Sequence, residues 1–328
     1  METKAITEGA VMASLTAMLA LAGIFIPVIN PIVMLVWTLP VVVICIRHGM
    51  RAGTATIAVA GMIILMAASP VNAFNMLLCS VGPALFIGGG FYYKWSTEKA
   101  ILYASVAAIV GLVVYLFISA EVMGVSVTQM FAIEPEVIDE MVDMISESGM
   151  MSSVYGSHDE MVEAIRGMFD SVYMMLPAAL ILYGLFTALT NYIVAYMVLR
   201  KLKEKVPPMT RLSTFRLPMP FLLGFIAGFG MLVMSATYWT DKPTLFAAGQ
   251  NVFNVFLVLY AFQGFGLIFY YIGRLEPHRR GTYKFLLVFS IIISGFSLLM
   301  FISFAGVIDA FMDFRRLEFG SISNKRIL

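Results

Sequence analysis

The chain has 328 residues, 21 basic and 20 acidic, with a formal net charge of +1. Counting glycine in and tyrosine out, roughly 64% of it is apolar, against about 45–50% in soluble proteins, and only 12% is charged. This composition excludes a pair of soluble domains and describes a membrane protein. The two cysteines, Cys45 and Cys79, lie inside apolar runs, which excludes a disulfide framework and leaves two buried thiols.

Nine charge-free stretches are long or apolar enough to cross a bilayer whose core needs about 20 helical residues. They run over 9–29, 32–46, 52–69, 73–93, 100–120, 174–199, 220–238, 247–272 and 285–308. The alternation of barrel strands is missing and unpaired backbone cannot face lipid, so the prediction is an all-α, polytopic helical bundle of about nine spans, with eight as the alternative. The second stretch is the shortest and its neighbour is also short, so Pro31 and Pro70 mark tight or partly re-entrant turns on one membrane face. The first stretch lacks a compact basic n-region and a cleavage site, so it reads as retained rather than as a signal peptide.

Basic residues accumulate on the cytoplasmic side. With the amino terminus inside, fifteen of the 21 fall in inner segments and only Arg166 and Lys242 in outer ones. A ninth span then puts Arg315, Arg316, Lys325 and Arg326 outside, against the rule. The amino terminus is therefore expected on the cytoplasmic side of the membrane.

The chain divides into a five-span region (1–120), an acidic outer segment (121–173), a four-span region (174–308) and an interfacial tail (309–328). The acidic segment holds eleven carboxylates against Arg166. Val137, Ile138, Met141, Val142 and Ile145 recur at helical spacing behind Pro135. Ser157 and Glu160 have the spacing of a capping box that opens a second helix running on toward the sixth span. The segment therefore reads as an extracytoplasmic helical hairpin. In the tail, Ala310, Phe311, Phe314 and Leu317 share one face and Asp309, Asp313 and Arg316 another, the pattern of an interfacial helix.

No zinc helix, phosphate-binding glycine loop or nucleophile elbow occurs, so the expectation is no enzyme, no metal and no cofactor. The densest basic segment, 200–216, adjoins membrane spans. Its expected role is topological, with contact to anionic head groups, and docking of a cytosolic partner is the alternative; nucleic acid is not expected.

Uncharged polarity within the spans stands out, because amides in hydrocarbon must pair or line a cavity. Gln250, Asn254 and Gln263 lie in the eighth stretch, Asn191 in the sixth and Asn75 in the fourth. Two readings stand: helix-to-helix hydrogen bonds, or an outward pocket for a small polar or amphipathic solute. Ala13 and Ala17 belong to a small-residue stripe on the first stretch that allows a close helix approach, within the protein or with a partner.

Four segments, "ITEGAVMASLTAMLALAGIFIP", "RHGMRAG", "TRLSTFRLPMP" and "GVIDAFMDFRRL", in this order, resemble the YybS-like family of bacterial multi-pass membrane proteins of unknown function. That resemblance implies a polytopic membrane fold over nearly the whole chain and carries no catalytic residues. The amino-terminal part is more loosely similar to the S components of energy-coupling-factor vitamin transporters. There, small residues at the spacing of Ala13 and Ala17 dock the subunit on a membrane coupling protein; this chain has about nine spans where those proteins have six. Together these readings predict a small-solute-binding or transport-related subunit, with a membrane scaffold for envelope assembly or signalling as the rival.

Overall fold

The computed structural model describes residues 3–131, 135–147 and 157–316. Its helices are α1 (Thr3–Phe25), α2 (Asn30–Val36), α3 (Leu39–His48), α4 (Met50–Ala67), α5 (Pro70–Tyr92), α6 (Thr97–Met123), α7 (Pro135–Glu147), α8 (His158–Met174), α9 (Leu176–Lys201), α10 (Pro220–Thr237), α11 (Pro243–Arg274), α12 (Pro277–Ser294) and α13 (Phe296–Met312). Proline sits in the first turn of α5, α9, α10, α11 and α12, where its missing N–H costs nothing and its fixed φ suits a helix start.

Among the described residues eight helical segments are long and apolar enough to span a membrane: α1, the composite 27–48, α4, α5, α6, α9, α10 and α11. The second is interrupted between α2 and α3, with Pro40 in the first turn of α3. The ninth stretch expected over 285–308 is not one helix. Gly295, at φ 54° and ψ −128°, breaks it into α12 and α13. A side chain at that position would be strained, so the break is encoded by the glycine.

Two compact units divide the chain, Met1–Met209 and Thr210–Leu328. The first holds α1 to α9. Here Ala13, Ala17 and Ala20 of α1 pack with Trp37 and Val41 of the composite span and with Ile57, Ala60 and Ile64 of α4. The sixth span, α9, belongs to this unit: a Cβ on Gly184 would lie 2.7 Å from the Ser105 carbonyl oxygen of α6, so only glycine permits the approach. The acidic hairpin closes on itself through Ile138, Val142, Met161 and Ile165. Ser157 caps α8 by accepting from the Glu160 amide at 3.3 Å, as the capping-box spacing predicts. Pro177 then separates α8 from α9.

The second unit is α10, α11, α12 and α13. Gly224 and Gly228 let α10 lie against Phe256 and Phe253 of α11. A Cβ on Gly264 would sit 1.9 Å from the Ile302 carbonyl oxygen, and one on Gly306 2.1 Å from that of Tyr260, so α11 and α13 touch backbone to backbone. Of the expected tail, only 309–316 lie among the described residues. The helix ends at Met312 and Asp313 turns left-handed at φ 42°. Asp309, expected on a polar outer face, is buried instead. Leu317 and the residues beyond it lie outside the described residues.

Candidate functional site

The amides expected to share a pocket are divided between the units. Asn75 on α5 and Asn191 on α9 are half-buried in the first, and the Asn191 Oδ1 is enclosed with no hydrogen-bond partner among the described residues. In the second, Gln250 and Asn254 are half-buried one turn apart on α11, whereas Gln263 is fully buried. Nine residues at 1.5 Å each put Gln263 about 14 Å along the helix from Asn254. Ala13 and Ala17 are 1% and 2% exposed, their surface taken up by α3 and α4 of the same unit.

A polar basin of about 660 Å³ opens at the end of the first unit where α1 begins and α3, α5 and α9 finish. Its wall carries Lys4, Arg47, Lys94, Lys203 and Lys205 against Glu8 and Glu204, an excess of three positive charges. Arg47 Nε donates to Glu204 Oε1 at 2.7 Å, while its Nη1 lies 3.8 Å from Glu8 Oε2. His48 Nε2 is 2.9 Å from the same Glu8 oxygen. The two carboxylates are thus committed to Arg47 and His48. Among the described residues no carboxylate forms an ion pair with the four lysines.

The local backbone explains why the lysines converge. Helices α5 and α9 end in the same Schellman turn: the Trp95 amide donates to the Gly90 carbonyl at 2.8 Å, and the Glu204 amide to that of Leu199 at 3.0 Å. The residue this turn forces into left-handed φ is Lys94 in one, at 56°, and Lys203 in the other, at 59°. At the opposite end of α6 the same turn uses Gly124, at φ 70°, with the Val125 amide donating to the Ala120 carbonyl. Glycine is the residue that fits; a lysine there costs roughly 1–2 kcal/mol. Gly49, at φ 84°, joins α3 to α4, and a Cβ on it would come within 3.3 Å of the Tyr92 ring.

The second unit holds a buried charge cluster. Asp309 of α13 is 1% exposed, Arg315 2% and Gln263 0%. Asp309 Oδ2 accepts from Arg315 Nη2 at 2.7 Å, from Arg315 Nε at 3.1 Å and from Gln263 Nε2 at 3.1 Å. The Leu217 amide donates to Gln263 Oε1 at 3.0 Å and Arg315 Nη1 donates to the Ser213 carbonyl at 3.0 Å. Tyr270 closes the arrangement by donating to the Arg315 carbonyl at 3.2 Å. Asp309 Oδ1 is enclosed and has no hydrogen-bond partner among the described residues. Gln263 therefore serves a helix-to-loop network in this unit, the structural one of the two uses open to a buried amide.

At the far end of the first unit a mainly apolar cavity of about 220 Å³ lies among Val113, Phe117, Val127, Phe131 and Leu176. Among the described residues no group of three or more His, Cys, Asp or Glu side chains is placed to hold a metal.

Sequence reasoning did not assemble either polar site, although a signal was present. The segments that carry the family resemblance meet in pairs. Glu8 of the first touches Arg47 and His48 of the second at the basin, and Ser213 and Leu217 of the third meet Asp309 and Arg315 of the fourth through the buried cluster.

One relative, "Uncharacterized protein YybS" of Bacillus subtilis (strain 168), is 23% identical over 273 residues, covering 82% of this chain and 85% of its own. No solved structure matches. A family model described as "Predicted membrane protein (DUF2232)" matches residues 14–310. With most of its length accounted for by that model, the chain belongs to the DUF2232 family of multi-pass membrane proteins.

Proposed function

We propose that this protein is a non-enzymatic component of the bacterial cytoplasmic membrane that binds a small solute and takes part in its transport. The observation that carries this reading is the basin of about 660 Å³, a concave, charged cavity built from the ends of α3, α5 and α9 and the start of α1. A cavity of that size matches a small-molecule site, and its few convergent charged groups supply orientation. The site moves from the outward amide pocket expected from sequence to the end that the positive-inside rule assigns to the cytoplasm.

Eight spans make the topology self-consistent. With the amino terminus inside, the chain returns inside after α11, and Arg279, Arg280, Lys284, Arg315 and Arg316 all fall on the favoured side.

The test is native mass spectrometry of the protein extracted gently from its own membrane. A stoichiometric small molecule in the wild type that is lost in Lys203→Glu/Lys205→Glu supports solute binding. Ligand-free protein that carries envelope or signalling proteins instead establishes the rival scaffold reading. The burial of Ala13 and Ala17 leaves docking on a coupling subunit to some other surface of the chain.

A further inference from the structure

Resting on the reading of the basin as the ligand site, we propose that its ligand is a phosphate-bearing anion, gripped between Lys94 and Lys203. Three observations converge. First, the basin's carboxylates are engaged by Arg47 and His48, so its excess of three positive charges resides on lysines facing one cavity. Ammonium groups that line one cavity in excess of its carboxylates repel one another, and a multiply charged anion relieves that repulsion where a single carboxylate leaves most of it.

Second, both lysines occupy the left-handed residue of a Schellman turn, a place where glycine is the unstrained choice and where Gly124 stands in the equivalent turn of the same unit. Backbone strain clusters at functional sites, and at these two positions it falls on residues that line one cavity. Topological signalling alone would be met equally well by lysines in relaxed conformations, since it counts charge and not φ.

Third, the floor is built and not merely charged. Arg47 is fixed from both sides by Glu8 and Glu204, and Glu204 is the residue that directly follows Lys203 in the Schellman turn. Occupancy at Lys203 is therefore coupled to the Arg47 ion pair that joins α3 to the end of α9. Lysine acts toward phosphate as a movable point charge, which suits an open basin better than a rigid fork.

The phosphate has two sources, a soluble phosphorylated solute or the head group of an anionic phospholipid, and the experiment separates them. Binding of inorganic pyrophosphate to the purified full chain in neutral detergent is measured calorimetrically at constant ionic strength. In parallel, native mass spectrometry scores retention of phosphatidylglycerol against phosphatidylcholine after release from mixed nanodiscs. Lys94→Gln and Lys203→Gln should each weaken the anion about tenfold, the loss of one charge-assisted contact. Lys94→Gly and Lys203→Gly should weaken it equally while raising the unfolding temperature, because the strain goes with the side chain. Pyrophosphate binding with these losses identifies a soluble source; lysine-dependent phosphatidylglycerol retention alone identifies the head group. Full affinity in the four variants, or neither probe bound by the wild type, overturns the proposal. A phosphate-free molecule found in the wild-type basin would overturn this inference and leave the solute-binding reading standing.

Discussion

Replacing Arg315 by methionine removes the three hydrogen bonds its guanidinium makes, two to Asp309 Oδ2 and one to the Ser213 carbonyl. Asp309 stays buried, and among the described residues Gln263 Nε2 is its remaining donor and Oδ1 is already without a partner. Removing one member of a buried ion pair typically costs about 3–5 kcal/mol, because the other charge is stranded, and Arg315→Met should fall in that range. Asp309→Leu should cost as much for the same reason. The double variant removes both charges but leaves the Ser213 carbonyl and Gln263 Nε2 unsatisfied, and at about 1–3 kcal/mol for each group should cost about 2–6 kcal/mol. The coupling in this double-mutant cycle should therefore be about 4 kcal/mol, the midpoint difference between the summed single variants and the double. Equilibrium unfolding in mixed micelles supplies the free energies, and protease access to residues 210–217 reports whether that segment leaves α11. Additive single and double variants, or a cost for Arg315→Met below about 1 kcal/mol, would refute the burial argument.

Gly264→Ala should release α13 from α11, since its Cβ would lie 1.9 Å from the Ile302 carbonyl oxygen and backbone cannot yield as a side-chain tip can; overpacking costs of about 1–3 kcal/mol are a lower bound here, and increased proteolysis between 296 and 316 checks it. Cysteines placed one at a time by Arg280→Cys and Arg316→Cys should label from the cytoplasmic side in inverted vesicles, against little background because Cys45 and Cys79 are buried. Labelling of Arg316→Cys from the outside alone would restore the ninth span and remove the eight-span topology.

Much of the architecture is legible in the residues because hydrophobic length and helix punctuation are local. Bilayer thickness sets the length of an apolar run, and proline and capping serine mark where helices start; hence α4, α5, α6, α9, α10 and α11 lie close to the charge-free stretches that announce them. The hairpin of α7 and α8 was equally readable, because period 3.6 and the Ser157 cap are properties of adjacent residues. The ninth stretch misled because an apolar run of the right length does not show that Gly295 takes a conformation that ends a helix.

The polar sites were not legible in the same way. A buried amide has the same local sequence whether it faces a solute or a neighbouring backbone, and only packing places Leu217 and Asp309 on either side of Gln263. Asp309 reads, with Asp313 and Arg316, as the polar face of a tail until the left-handed turn at Asp313 folds Arg315 back onto the Asp309 carboxylate. Lys94 and Lys203 are more than a hundred positions apart, and nothing in either neighbourhood distinguishes them from the other basic residues at span ends. Sequence by itself determined the membrane class, the approximate spans and the acidic hairpin, since each depends on composition within a few turns of helix. Tertiary structure decided which charges are buried, which lysines share one basin and which glycines must be glycine, because these depend on groups brought together from distant parts of the chain.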